Sequence, residues 1–239
     1  MRLPAAIAEP RPAEAESRLN EALPHAVALE RETGMYPLLI MNTLAQTCRR
    51  LDKIDEAESL YQRVIEVRRG VGDEKDNQRE LLTTMSNLAT LYMITGRLEK
   101  AESLMADFLS RAGDVLGPEH PVVLKTTFDW SKLLRQAGRL SEAEASLVPV
   151  LDSMKRLFGQ DHPHTCLVMG ELSNVRRDQG HLDEALRLRL ESVEGLLRTL
   201  GDKHESTQHS VFELVTLLET MNRLQEAADW RARLAAPGS

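Results

Sequence analysis

Aromatic residues make up only 4% of this chain's 239 residues. Leu, Ala, Glu and Arg are abundant instead, and these lose little conformational freedom on entering a helix. The composition therefore favours an all-α chain, and 42% hydrophobic residues suffice for a buried core. Cysteine is nearly absent: Cys48 and Cys166 stand alone, in no Cys-x-x-Cys pattern, and no Asn-x-Ser/Thr acceptor occurs. That usage fits a reducing compartment, so a cytoplasmic protein is expected. Positive charge is in deficit, with a formal net charge of −7 and a pI near 5.6. No global field exists to gather nucleic acid or an anionic membrane, and neither is expected as a partner. Long apolar runs are missing too; the run from Leu38 to Met41 is far too short to cross a bilayer. Residues 1–12, broken by Pro4, Pro10 and Pro12, contain no apolar signal-peptide stretch and read as a flexible lead-in.

Catalytic patterns are likewise lacking. The chain has no Gly-x-x-x-x-Gly-Lys-Ser/Thr loop, no His-Glu-x-x-His, no Gly-x-Ser-x-Gly and no complete Gly-x-Gly-x-x-Gly. No pair of carboxylates shows a defensible acid–base spacing. The expectation is a protein without catalytic activity, cofactor or metal.

What is present is repetition. Ala57, Ala101, Ala143, Ala185 and Ala227 follow one another at steps of 44, 42, 42 and 42 residues. Each lies just beyond a turn: Asp52-Lys53-Ile54, Gly96-Arg97-Leu98, Gly138-Arg139-Leu140, Gly180-His181-Leu182 and Asn222-Arg223-Leu224. Gly and Asn tolerate the left-handed conformation that closes a helix, so each turn ends one helix and begins another. A second family of breaks recurs at the same period, at Gly117-Pro118-Glu119-His120-Pro121, Gly159-Gln160-Asp161-His162-Pro163 and Gly201-Asp202-Lys203-His204-Glu205. Between breaks, apolar residues recur at helical spacing, as in Leu82, Met85, Leu88, Ala89 and Tyr92.

Each unit is thus a helical hairpin. A small or medium residue in its first helix (Ala45, Ala89, Ser131, Ser173 or Val215) lets the second helix approach near the marker alanine. A lone hairpin cannot cover its apolar faces, whereas hairpins in series bury a continuous core. The spacing predicts one solenoid domain over residues 13–236, with hairpins at about 36–72, 78–116, 121–158, 163–200 and 205–235. Glu14-Ala15-Glu16-Ser17 precedes Glu56-Ala57-Glu58-Ser59 by one period, so residues 13–33 read as an N-terminal half-repeat, and 237–239 as a tail.

Five registered copies resemble the tetratricopeptide repeat, in the 42-residue form found in kinesin light chains. The strongest likeness lies in Ser86-Asn87-Leu88-Ala89-Thr90-Leu91-Tyr92, in Gly96-Arg97-Leu98-Glu99-Lys100-Ala101-Glu102, and in the linkers His120-Pro121 and His162-Pro163-His164-Thr165. The resemblance implies a right-handed superhelical solenoid of antiparallel helix pairs. It also implies a concave groove, lined by the first helix of each pair, that receives a peptide or a partner helix; it does not imply a particular ligand.

By that resemblance, one stripe on each first helix faces the groove. The stripes are Leu39, Asn42, Gln46, Arg49 with Arg50; Thr83, Ser86, Thr90, Met93, Ile94; Lys125, Phe128, Lys132, Arg135, Gln136; Leu167, Gly170, Asn174, Arg177, Asp178; and His209, Phe212, Thr216, Glu219, Thr220. Arg49, Arg50, Lys125, Lys132, Arg135 and Arg177 outnumber Asp178 and Glu219, a positive bias in a negative protein that points to an acidic ligand. Phe128 and Phe212 are candidate apolar anchors. The candidate peptide-binding residues are Asn42, Gln46, Arg49, Asn87, Lys125, Phe128, Lys132, Arg135, Asn174 and Arg177. Asp129, Glu171 and Glu213, one residue beyond the stripe, are placed to cancel part of this charge, so a solvated, salt-bridged face stands as the competing reading. Some repeats of this family clamp a C-terminal carboxylate with Lys, Asn and Arg at set positions. Here Asn42 stands in place of the Lys and Asp129 in place of the Arg, and no such clamp is expected.

His120, His162 and His204 recur one period apart, too far from each other to share an ion, and are expected to cap helices between hairpins. Cys48 and Cys166 read as packing residues. Gly70-Val71-Gly72, in the one lengthened linker, reads as a flexible join. The leading functional expectation is a scaffold or adaptor that binds a peptide or partner segment. An assembly module, with homo-oligomerisation, and a ligand-sensing regulatory domain are the alternatives.

Overall fold

The computed structural model describes residues 38–235, together with Glu14, Ser17, Arg18, Asn20, Glu21 and Pro24, which are helical. The expected lead-in, tail and most of the half-repeat lie outside the described residues. Over residues 38–235 ten helices follow one another, with no strand among the described residues: α1 Leu38–Arg50, α2 Ile54–Val71, α3 Lys75–Ile94, α4 Leu98–Val115, α5 Pro121–Gln136, α6 Leu140–Phe158, α7 Pro163–Asp178, α8 Leu182–Leu200, α9 Glu205–Thr220 and α10 Leu224–Ala235. The all-helical hairpin reading of the sequence is thus the observed architecture.

The hairpin turns share one geometry. Asp52, Gly96, Gly138, Gly180 and Asn222 all have positive φ, between 59° and 84°. At each, the following residue's N–H returns to a carbonyl five positions back: Lys53 to Cys48, Arg97 to Tyr92, Arg139 to Leu134, His181 to Arg176 and Arg223 to Leu218, at 2.8–2.9 Å. The left-handed residue's own N–H bonds the carbonyl three positions back, and the two hydrogen bonds together satisfy the last carbonyls of the first helix and aim the second helix back along it. In the outer turns Asp and Asn take the left-handed position that glycine takes in the inner three, as the two residue types most tolerant of it.

Helix approach is set by the marker alanines. Ala57, Ala101, Ala143, Ala185 and Ala227 are all 0% exposed. Facing them, Ala45, Ala89, Ser131, Ser173 and Val215 are buried as well, and Ser173 Oγ donates to the Ala185 carbonyl at 2.7 Å. A larger side chain at any of these sites would force the pair apart, at about 1–3 kcal/mol.

Two compact units divide the chain, at Val123 and Leu124. In the first, α1 packs on α2, α2 on α3 and α3 on α4, around Tyr61, Leu81, Leu82, Met85, Leu91, Met105 and Phe108. In the second, α6 packs on α7, α7 on α8, α8 on α9 and α9 on α10. Leu186, Val193, Val211, Leu214 and Leu218 fill the space between α8, α9 and α10.

The join between the first two hairpins departs from expectation. Gly70 and Val71 are not a flexible join; they continue α2 as helix. The added length is taken up by α3, which has 20 residues where α5, α7 and α9 have 16, and the end of α2 is tied down by the buried Asn77, whose Nδ2 donates to the carbonyls of Arg68 and Gly72, both at 2.8 Å. Gln78 Nε2 adds a bond to the Gly72 carbonyl.

Candidate functional site

In the first unit, the residues on the first-helix stripes are a mixture of exposed and structural groups. Leu39 and Ile94 are exposed, at 70% and 60%. Asn42 is 7% exposed and Ser86 5%, so both belong to the packing; Gln46, Arg49 and Asn87 are half-buried. Thr83 and Thr90 donate to the carbonyls of Arg79 and Ser86, four residues back, which turns their hydroxyls onto their own helix. Arg49 lies near Tyr61, whose phenol burial pushes up to about 12 against the pull of that charge.

The best-partnered charge of this unit lies on a second helix. Glu58 of α2 is 9% exposed and accepts from Lys100 Nζ at 2.7 Å, Tyr92 Oη at 3.0 Å and Gln62 Nε2 at 3.2 Å, with Arg97 as a further ion-pair partner. Burial raises the pKa of its carboxyl, but the bonds from Lys100 and Tyr92 and the charge of Arg97 outweigh it and hold the group below its ordinary value. This network ties the first hairpin to the second. Beside it, a cavity of about 750 Å³ opens between α2 and α4 over Ile65, Leu88 and Tyr92.

In the second unit most of the expected positive bias is neutralised within the chain. Lys125 pairs with Asp129 at 2.7 Å. Arg135 bonds Glu171 at 2.7 Å and Asp178 at 3.0 Å, and Arg177 bonds Asp178 at 3.0 Å and Glu213 at 3.3 Å. Asp129, Glu171 and Glu213, one period apart, thus each take one cation of the stripe. Lys125–Asp129 and Arg177–Asp178 lie within one helix, but the Arg135 pairs run from α5 to α7 and Arg177–Glu213 from α7 to α9, so these brace neighbouring hairpins. Lys132 differs: among the described residues no carboxylate lies within ion-pair distance of it, and its Nζ sits 5.7 Å from the centre of the Phe128 ring. Leu167 and Phe212 are exposed at 38% and 65%. Asn174 donates to Glu171 and accepts from Arg189 at 2.6 Å.

Arg189 is the residue that a reading of the first helices alone misses, because it lies on α8, a second helix. Its side chain is 4% exposed. The sequence did carry a signal: four residues after the marker alanine, where the three preceding hairpins have Tyr61, Met105 and Leu147, this hairpin has arginine, as does the last with Arg231.

The histidines fulfil their expected structural role. Nδ1 of His120, His162 and His204 accepts the N–H of Val122, His164 and Ser206 at 3.3, 3.3 and 3.1 Å, capping the starts of α5, α7 and α9. No cluster of three or more His, Cys, Asp or Glu suited to a metal occurs among the described residues. Both cysteines are buried, and burial pushes the Cys166 thiol up to about 11. No helix among the described residues is long and apolar enough to cross a membrane.

Residues 38–72 and 80–148 each match a tetratricopeptide-repeat family profile. No curated protein sequence matches the chain. Among solved structures, BtubC (BKLC) from P. vanneervenii is similar, with a TM-score of 0.77 at 16% identity, covering 97% of this chain and 95% of that one. The nearly identical TPR-like repeats assigned to a kinesin light chain of Podosopora anserina give a TM-score of 0.73 at 22% identity, covering 83% and 92%. The quorum sensor NprR from B. thuringiensis in its apo form gives 0.59 at 14% identity, covering 92% and 71%.

Proposed function

We propose, from the premise that this chain is a tetratricopeptide-repeat protein with kinesin-light-chain-like repeats, that it is a non-catalytic scaffold or adaptor. Its ligand is a segment of a partner protein, held against the first helices of the hairpins. One observation carries this reading. The large apolar side chains left exposed on first helices, Leu39 and Ile94 in the first unit and Leu167 and Phe212 in the second, all fall on the stripe. Within each unit, exposed apolar groups on the first-helix stripe, with polar neighbours, have the character of an interaction surface.

The acidic preference rests on fewer groups than the count of cations on the helices implies. Lys125, Arg135 and Arg177 are engaged within the chain, which leaves Lys132 beside Phe128 as the cation of the α5 stripe open to a ligand. A regulatory, ligand-sensing role is the second reading, favoured by the fold shared with the quorum sensor NprR.

The test is selection of peptides from a displayed random library on the full chain, followed by affinity measurement by fluorescence anisotropy. Phe212→Asp and Leu167→Asp are expected to weaken the selected peptides at least about tenfold, the scale of one lost anchor. Lys132→Glu is expected to weaken acidic peptides and spare neutral ones. Indifference to all three substitutions would sink the proposal.

A further inference from the structure

In the hairpins marked by Ala57, Ala101 and Ala143, the position four residues on is a core position, filled by Tyr61, Met105 and Leu147, each 0% exposed. The hairpin marked by Ala185 keeps the position buried but places Arg189 there, 4% exposed, whereas the arginine at this register of the last hairpin, Arg231, is exposed. A guanidinium at a core position costs far more to bury than a Met or Leu unless it is paired.

The same hairpin makes room for it. On α7 the facing residue is Gly170, where the other first helices carry Asn42, Ser86, Phe128 and Phe212. A Cβ at Gly170 would lie 2.8 Å from Arg189 Nη1, so the missing side chain is the space the guanidinium occupies. Glycine inside a helix is itself unfavourable. Two locally unfavourable residues therefore meet at one point.

The partners found there are neutral. Arg189 Nη2 donates to the Gly170 carbonyl at 2.7 Å and to Asn174 Oδ1 at 2.6 Å, and Nε has no acceptor. Among the described residues no carboxylate lies within ion-pair distance of it. Glu171 and Glu213 favour its charge from further off, but both are held by other arginines, and burial pulls its pKa down to about 10. Arg189 lines a cavity of about 190 Å³, with Lys132 and Phe128 of α5 on one side and His209 and Ser210 of α9 on the other. That volume is several times a water's share of about 30 Å³, enough for one small charged group.

We propose that this cavity is a carboxylate subsite, in which Arg189 and Lys132 take one acidic group of a segment lying across α5, α7 and α9. The group is an Asp or Glu side chain or a C-terminal carboxylate. Glu171, on the cavity wall, has its own charge held by Arg135 and Asn174. This inference rests on the scaffold reading and adds to it the recognised group and the residues that recognise it.

The first experiment uses the ¹⁵N-labelled full chain and follows the arginine Nε–Hε NMR signals, with that of Arg189 assigned by its loss in Arg189→Met. Acetate is the probe and acetamide, at matched ionic strength, the control. Acetate is expected to shift the Arg189 signal saturably and acetamide to leave it still. Lys132→Met is expected to weaken the response, and Gly170→Ala, whose methyl displaces the guanidinium, to abolish it. No shift, or an equal shift with acetamide, overturns the proposal.

The second experiment takes library-selected peptides in free and C-terminally amidated form, with each acidic residue changed to its amide. Loss of about tenfold or more in affinity in one of these arms identifies the source of the carboxylate, and the same loss is expected with Arg189→Met. Met occupies this register in another hairpin, so Arg189→Met is expected to melt at or above the wild-type temperature; a purely structural arginine predicts a lower melting temperature with unchanged binding. Should Arg189→Met fail to fold, Gly170→Ala carries the test. Peptides that bind wild type, Gly170→Ala and Arg189→Met equally refute the subsite and leave the scaffold reading intact. An acetate response without any peptide binding does the reverse.

Discussion

Glu58 in the first unit and Arg189 in the second are both buried charges, and they are treated in opposite ways. Glu58 is surrounded by donors: Lys100, Arg97, Tyr92 and Gln62 all reach it, and its carboxyl is held below its ordinary value. Arg189 has two neutral oxygens and no carboxylate within ion-pair distance among the described residues. The first charge is built into the fold as a brace between hairpins. The second is left in need of a partner, and a fold that tolerates such a group is spending stability on something other than itself.

That contrast can be broken by measurement. Glu58→Gln keeps the shape and removes the charge, and is expected to lower unfolding free energy by about 2 kcal/mol in urea titrations, the scale of a charged hydrogen-bond network whose partners are half in solvent. Arg189→Met should move the other way, leaving stability unchanged or raising it by about 1 kcal/mol. Equal losses in both variants would erase the distinction between brace and unmet charge.

Acid sharpens the same comparison. Because the folded Glu58 carboxyl titrates below its ordinary value of 4.5, the folded state binds fewer protons there than the unfolded chain. Its contribution is therefore complete above the ordinary value and drains as pH falls through the lowered one. The stability gap between wild type and Glu58→Gln should narrow on acidification, whereas the gap between wild type and Arg189→Met should stay flat over that range. Parallel wild-type and Glu58→Gln curves would show that the carboxylate is not stabilised by its donors. The smallest effect is expected at the rim: Lys100, largely in solvent, should give little change in melting temperature as Lys100→Met, because Arg97, Tyr92 and Gln62 still serve Glu58.

The hairpin architecture was legible because it is written by small residues at fixed spacing. Ala143 and Gly138 have few alternatives once two helices must cross closely and a turn must take positive φ. The side-chain chemistry of the first helices was less legible, because which cation meets which carboxylate depends on side-chain reach. Glu171 stood in the sequence as a neighbour able to cancel charge, but only the geometry shows it gripping Arg135 of the preceding hairpin. Gly170 stands in the sequence as one member of a stripe, and Arg189 lies on a second helix, outside every stripe. The period held the clue to both: Gly170 is the one residue of its register without a side chain, and Arg189 stands where the three preceding hairpins fill the core with Tyr61, Met105 and Leu147.

The shared turns and alanines carry a consequence for exchange of parts. Residues 121–158 and 163–200 have the same length and carry the same left-handed residue between their helices, Gly138 or Gly180. They also bury the same marker alanine, Ala143 or Ala185. Each behaves as a cassette whose fittings are common and whose cargo of side chains is its own. On the scaffold reading proposed above, ligand preference in such a chain is free to drift one cassette at a time, with the fittings untouched.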